Sequence, residues 1–289
     1  MNNFNQQYSK YLSIINDGID KLFSSLEGQV SDKLLDAMKY AVVDGGKRIR
    51  PVTMLAVADY LGLEQSRVLN YAIALEFIHS YSLVHDDLPA MDNDDYRRGK
   101  LSTHKKYGED IGILVGDALL NLAIETCLSN NAWSVEDKDA VSVLFSLSGA
   151  KGMIKGQYLD ITSARVFNEQ ILMEIHDNKT SKLLLASFIV PSILCGKKEY
   201  DKLYNLGQNL GLIFQIKDDI LDVEGSALTL GKTPNKDLKN GKLTFVSLYG
   251  LEGAKDKLEF HYNLANNIVN DLNNEFLQEL CDYMYKRTK

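Results

Sequence analysis

Residues 85 to 99 read HDDLPAMDNDDYRRG, five aspartates and two arginines in fifteen positions, directly behind a run that is nearly all apolar. Carboxylates at that density either face water or hold cations. The preceding stretch, YAIALEFIHSYSLVHDDL (71 to 88), is apolar almost all round, as expected of a helix buried on most faces. Pro89 must end that helix, because its ring clashes with the carbonyl four residues back. Asp86 and Asp87 therefore sit at a helix C-terminus, where the macrodipole disfavours each by about 0.3 to 1 kcal/mol. Asp92 lies six positions after Asp86, so it cannot share that helix face and must return from the turn beyond the helix end.

A second acidic stretch, FQIKDDILDVE (214 to 224), has the same character. With Gln215 at zero on a wheel of about 100° per residue, Asp219 falls near +40°, Asp222 near −20° and Asp218 near −60°. They form one stripe, flanked by apolar side chains, with Lys217 and Glu224 opposite. Lys217 and Glu224 make the ordinary solvent face, so the aspartates point inward. Two carboxylates near 4 Å repel by roughly 4 kcal/mol at an effective dielectric of 20, so an interior cluster needs cations. Oxygen ligands without a cysteine or a histidine pair suit magnesium, which takes carboxylates, waters and substrate phosphates. Two basic, glycine-punctuated loops, DGGKRIRP (44 to 51) and EGSALTLGKTPNKDLKNGKLTF (224 to 245), read as solvated loops when taken alone. Set beside two inward carboxylate clusters, they point to a polyphosphate substrate clamped between metals and basic side chains.

The elements that must position these groups are helices. Of 289 residues only four are proline, and apolar residues recur at three- and four-residue spacing nearly throughout. Helical patterns cover 5–28, 31–44, 51–62, 66–88, 107–131, 136–160, 168–195, 199–224, 244–250 and 253–288, and with no Ser- or Pro-rich linker the chain reads as one domain, 1–289. A net charge of −7 argues against nucleic acid as main partner, since phosphate neutralisation needs a basic face. Cys127, Cys195 and Cys281 have no paired or metal-type spacing and read as free thiols of a reducing cytoplasm. The start has no basic n-region followed by an apolar core, and the run LLLASFIVPSILC (183 to 195) is too short to span a bilayer and contains Pro191. It reads as a proline-kinked core helix, and no stable membrane insertion is expected.

The ordered set of motifs resembles the trans-isoprenyl diphosphate synthase family, most closely its bacterial farnesyl-producing branch. DDLPAMDNDDYRRG (86 to 99) is similar to that family's first Asp-rich motif with a two-residue insertion, and FQIKDDILD (214 to 222) to its second. GGKRIRP (45 to 51), EFIHSYSLVHDD (76 to 87), GDALL (116 to 120), KGQYLDI (155 to 161), HDNKTSKLL (176 to 184) and GKTPNKD (231 to 237) follow in the family's order, and the match covers essentially the whole chain. The less usual choices are Asn235, Tyr96, Leu101 and Thr103.

The resemblance implies an all-α, single-domain helical bundle around a deep central cavity, the isoprenoid synthase fold, usually a homodimer. It implies condensation of isopentenyl diphosphate with an allylic diphosphate, releasing diphosphate, with small-molecule isoprenyl diphosphates as partners. Carried over by position, Asp86 and Asp92 are expected to ligate two magnesium ions with Asp87 assisting. Asp218 would hold a third, with Asp219 and Asp222 acting through its waters. Arg97, Lys179 and Lys232 would grip the allylic diphosphate, and Lys47, Arg50, His79 and Arg98 the isopentenyl diphosphate. The Thr180 hydroxyl, the Lys179 carbonyl and Gln215 would lend dipoles to the allylic cation. Tyr81, five before the first aspartate, would be the wall that stops growth at fifteen carbons, with the small Ser80 behind it. Alternatives are a twenty-carbon or longer product, a terpene cyclase, and an inactive regulatory subunit. A cyclase would not need the Lys47/Arg50 loop, His79 and Arg98, and an inactive subunit could have shed the aspartates.

Overall fold

The computed structural model describes residues 3–43, 46–129, 133–163, 168–224 and 243–288. Its elements are α1 (Asn3–Ser25), α2 (Asp32–Val42), α3 (Ile49–Leu61), α4 (Gln65–Asp86), β1 (Tyr96–Arg97), β2 (Lys100–Leu101), α5 (Thr103–Tyr107), α6 (Glu109–Leu128), α7 (Val135–Ser148), α8 (Met153–Thr162), α9 (Glu169–His176), a π-helical turn (Asp177–Ser181), α10 (Lys182–Leu194), α11 (Tyr200–Glu224), α12 (Phe245–Leu272) and α13 (Glu275–Lys286). The chain divides into two compact units, Met1–Asp59 with Leu63–Ser134, and Tyr60–Gly62 with Val135–Lys289.

In the first unit, α1 shows why periodicity suffices: Tyr11, Ile15, Ile19 and Phe23 recur every four residues and all four are buried. The helix α4 is the unit's central rod, buried from Ile73 through Ile78 and packed along α6. It stops at Asp86, and the chain folds straight back: the Asp92 amide donates to the Asp86 carbonyl at 2.9 Å. That is the return the six-residue spacing requires. Among the described residues the strands are those of one hairpin, β1 and β2, where Tyr96 pairs with Leu101 and Arg97 with Lys100. Arg98 and Gly99 both have positive φ, as a two-residue type I′ connection demands.

In the second unit, α10 is buried from Leu183 through Leu194, with Pro191 inside it. Leu203, Leu206, Leu210, Ile213, Ile216 and Ile220 give α11 its core stripe against α10 and α12. Three expected helices are interrupted. Residues 149–152 separate α7 from α8. The run 168–195 is broken by the π-turn, whose extra residue widens the helix. The C-terminal run divides at Asn273, left-handed at φ 50, before Asn274 caps α13 by accepting from the Leu277 amide. The expected break after 250 is present as a kink within α12, where Gly250 leaves helical geometry at φ 71 and ψ 173 and two helical segments meet.

Candidate functional site

Each unit carries its own half of the expected chemistry. In the first, the basic loop before α3 and the hairpin converge on α4. Arg50, in the first turn of α3, places Nη1 3.5 Å from His79 Nε2. Burial, then the neighbouring Arg50, Arg98, Arg97 and Arg48, pushes His79 well below the usual imidazole range, so the ring is neutral at physiological pH. Gly46 has φ 107, and a Cβ there would lie 2.9 Å from the Arg98 guanidinium carbon. Only glycine lets that guanidinium cover the loop backbone. The Tyr8 hydroxyl donates to the Lys47 carbonyl and pins the loop from α1.

The first acidic cluster adjoins these cations. The Arg97 guanidinium grips the Asp87 carboxylate from two nitrogens, with Nε to Oδ1 at 3.0 Å, and its Nη2 lies 3.7 Å from Asp94. Burial raises the Asp87 pKa despite that partner. A helix-end carboxylate, disfavoured by the macrodipole, thus finds its cation ten residues on, in the hairpin. Ser80 faces a cavity of about 40 Å³ lined also by Tyr40, Asp87, Arg97 and Arg98. Tyr81 is 6% exposed and meets His85 edge-on, centroids 5.9 Å apart. His85 fits only because residue 116 is glycine: a Cβ there would lie 2.0 Å from its Nε2.

In the second unit the π-turn presents Lys179 and Thr180. Lys179 Nζ donates to Asp160 Oδ2 of α8 at 2.6 Å. The Thr180 hydroxyl donates to Gln215 Oε1 at 2.7 Å, and Gln215 Nε2 donates to Asp219 Oδ1 at 2.9 Å. Asp219 Oδ2 accepts from the Phe245 amide at 2.8 Å. Asp219 and Asp222 are buried and Glu224 exposed, as the wheel requires, whereas Lys217, expected on the solvent face, is half-buried and its pKa is lowered by that burial, and Asp218 lies at the margin, 2.7 Å from Arg287 Nη2. Arg287 also donates to the Phe214 carbonyl and lies 4.0 Å from that ring's centroid. His176 stacks on Phe245, and burial pushes its pKa down to about 3.

Among the described residues no three carboxylate, imidazole or thiol groups converge as a ready-made metal cage. Magnesium does not ask for one; it is held by one or two carboxylates and completes its shell with waters and phosphate oxygens. The all-oxygen donor sets at Asp86/Asp87/Asp92 and Asp218/Asp219/Asp222 fit that habit. Lys232 lies outside the described residues, as does Asn235. Arg48, Glu76, Asp160, His176 and Arg287 are contacts the motifs did not assign; Arg48, Glu76, Asp160 and His176 lie inside quoted motifs, whereas nothing in the sequence marks Arg287.

With that geometry established, the comparisons with known proteins are specific. The polyprenyl synthetase family model matches residues 31–281, and the chain belongs to that family. It is an all-α prenyltransferase with the isoprenoid synthase fold. The chain is 42% identical to the farnesyl diphosphate synthase of Micrococcus luteus over 96% of both chains. It is 41% identical to geranylgeranyl pyrophosphate synthase 7 of Arabidopsis thaliana, over 84% of this chain and 71% of that one. The geranyltransferase of Helicobacter pylori, solved with magnesium and isoprenyl diphosphate, superposes with a TM-score of 0.80 at 32% identity, covering 96% of each chain.

Proposed function

We propose that the chain condenses isopentenyl diphosphate with dimethylallyl and then geranyl diphosphate, head to tail (1′-4), to give (2E,6E)-farnesyl diphosphate, with magnesium. The observation that carries this reading is the cluster of Arg50, Arg98 and neutral His79 beside the Lys47 loop. Guanidinium groups clustered around an imidazole that burial, and then their own charge, keeps neutral make a seat for a polyphosphate, and the N-terminus of α3 adds backbone donors. Lys47, Arg50, His79 and Arg98 bind the isopentenyl diphosphate there. Arg97, Lys179 and Lys232 take the allylic diphosphate, Arg97 exchanging Asp87 for phosphate and Lys179 exchanging Asp160.

Asp86 and Asp92, assisted by Asp87, and Asp218 with Asp219 and Asp222 hold three magnesium ions, which when bound supply positive charge for the departing diphosphate. As the allylic C–O bond breaks, positive charge develops on the prenyl carbon. The Thr180 hydroxyl oxygen, the Lys179 carbonyl and Gln215 Oε1 turn negative dipole ends toward it; the Gln215 amide is fixed in that sense because its Nε2 is tied to Asp219. The new C1′–C4 bond forms on the cation, and the released diphosphate takes the proton that leaves.

Tyr81 is proposed as the wall that stops growth at fifteen carbons. A twenty-carbon product is the second reading, favoured by the Arabidopsis relative. The family model runs across both compact units, which supports reading them as one polyprenyl synthase domain. The helix α6 is long and apolar enough to cross a membrane by length and composition, 44% of that window being buried; it exposes Ile113, Leu114, Ile124 and Leu128. We read that face as covered by a second copy of the chain in a homodimer. Three free thiols suit a reducing compartment, and the cytoplasm is the one proposed.

Purified protein supplied with isopentenyl diphosphate, magnesium and either allylic primer tests the reading, with products resolved by chain length. A fifteen-carbon product lost on chelation is expected; a longer one moves the wall, and no condensation sinks the assignment and revives the inactive subunit. Asp86→Ala and Asp218→Ala should each abolish turnover, and activity surviving both unchanged would remove the metal roles.

A further inference from the structure

The chain entering α3 places three cations in four positions, Lys47, Arg48 and Arg50, and one of them is committed to the interior. Arg48 is turned inward. Its backbone is left-handed at φ 50, uncommon for a residue other than glycine, and its side chain is 3% exposed. Nη1 donates to Glu76 Oε1 at 2.6 Å, and Nη2 donates to the Val42 carbonyl at the end of α2. The Glu76 side chain is itself 2% exposed. Arg97 pairs at the surface of its cluster; Arg48 and Glu76 are paired away from solvent altogether.

We propose that Glu76, acting through Arg48, is a positioning residue for the isopentenyl diphosphate seat, an inference that rests on the function proposed above. Glu76 stands on α4 three residues before His79 and ten before Asp86. The pair therefore fastens the Lys47/Arg50 loop to the rod that carries both His79 and the first metal-binding aspartate. The Arg48 backbone must take its left-handed turn for the guanidinium to reach inward, and that turn sets where Lys47 emerges before it and where α3, bearing Arg50, begins after it. The bond to Val42 ties the same guanidinium to α2, so the loop is held at its entry as well as underneath. Glu76 also lies close enough to Arg98 to offset part of the effect of burial and of the neighbouring arginines on that guanidinium. One buried carboxylate thus steadies a seat built otherwise from cations.

Two roles for Glu76 differ in sign. Were it only a negative charge near the seat, Glu76→Gln would remove repulsion and tighten a diphosphate. As a positioning residue, its loss frees Arg48 and the loop, and binding weakens. The test measures the Kd of isopentenyl diphosphate alone by calorimetry, and both KM values in the condensation, for wild type and Glu76→Gln. Expected is a rise of about tenfold in the Kd and KM for isopentenyl diphosphate, about 1.4 kcal/mol, with the KM of geranyl diphosphate within about twofold.

If Glu76→Gln does not fold, Arg48→Met/Glu76→Leu stands in, since replacing a buried ion pair by apolar side chains of similar volume usually preserves the fold. The same selective rise is expected of it. Tighter or unchanged isopentenyl diphosphate binding in the folded variant refutes the proposal, as does an equal rise in both KM values. A wild type that does not bind isopentenyl diphosphate refutes the underlying assignment and the proposal with it, so the two failures are told apart by the wild-type measurement.

Discussion

Gly156→Ala is a substitution whose effect on stability should carry the opposite sign from the one helix propensity gives. Gly156 lies in the interior of α8, where alanine is favoured over glycine by about 1 kcal/mol. The Cβ it would add, however, lies 2.1 Å from the Lys179 amide nitrogen, 2.6 Å from its Cα and 2.7 Å from the Asn178 carbonyl carbon. All three are backbone atoms of the π-turn, which cannot rotate aside. Ordinary carbon contacts are about 3.5 to 4.0 Å, so α8 and the turn must part by about 1 Å or more. Overpacking of this kind costs about 1 to 3 kcal/mol and occasionally more, and with no flexible neighbour to give way we take the upper end. Net destabilisation of about 2 kcal/mol remains after the propensity gain. At roughly 2 to 4 °C per kcal/mol for a large domain, the thermal midpoint should drop by about 4 to 8 °C. The functional consequence is local. Asp160 sits one turn further along α8 and moves with it, so the 2.6 Å bond to Lys179 is lost and the lysine is no longer aimed. Thermal unfolding and steady-state kinetics on Gly156→Ala should therefore show a lower midpoint and a raised KM for the allylic diphosphate, with that for isopentenyl diphosphate unchanged. An equal or higher midpoint with both KM values intact would refute the close packing of α8 on the π-turn as the reason for glycine here.

Tyr81→Ala should lengthen the product, because each further isoprene unit buried gains roughly 4 kcal/mol at about 0.8 per carbon group and only a steric wall opposes it. Chain-length analysis of the products, with Tyr81→Phe as a control that keeps the ring against His85, checks this; a product still at fifteen carbons in folded Tyr81→Ala removes the residue from that role. Stability should fall as the medium is acidified from about pH 6.5 toward 4. His261, its Nδ1 2.9 Å from Asn209 Oδ1, has its pKa pushed down from 6.5 to about 4 by burial and then by Lys257. The unfolded chain binds a proton in that window that the folded chain refuses, so the contribution is complete above pH 6.5 and lost as pH falls, amounting to about 2 kcal/mol after allowance for solvent screening. His261→Gln, which keeps a hydrogen-bonding group without a titration, should flatten that part of the unfolding-midpoint profile; an unchanged profile would rule His261 out as its source.

Much of this architecture could be read from residue types because the relevant forces are local and periodic. Pro89 forced α4 to end at the aspartates, the four-residue recurrence in α1 and the apolar stripe of α11 fixed which faces are buried, and the six-residue spacing of Asp86 and Asp92 required the chain to turn back. What could not be read depends on partners far apart in the chain. Whether Asp87 or Asp86 meets Arg97 is decided by the twist of a six-residue hairpin, and whether Arg48 or Arg50 turns inward is decided by one left-handed backbone angle and a glutamate on another helix. A stretch such as KRIR presents three equivalent cations on paper. The burial of one beside a carboxylate makes them inequivalent: an unpaired charge there is too costly to leave, so the buried arginine is committed to the scaffold. The π-turn is likewise set by a partner distant in the chain. The apolar periodicity of 168–195 runs on either side of it as in an uninterrupted helix and its own residues, DNKTS, are polar, so only the glycine on α8, with no room for a methyl group, betrays that Lys179 and Thr180 are held out of helical register.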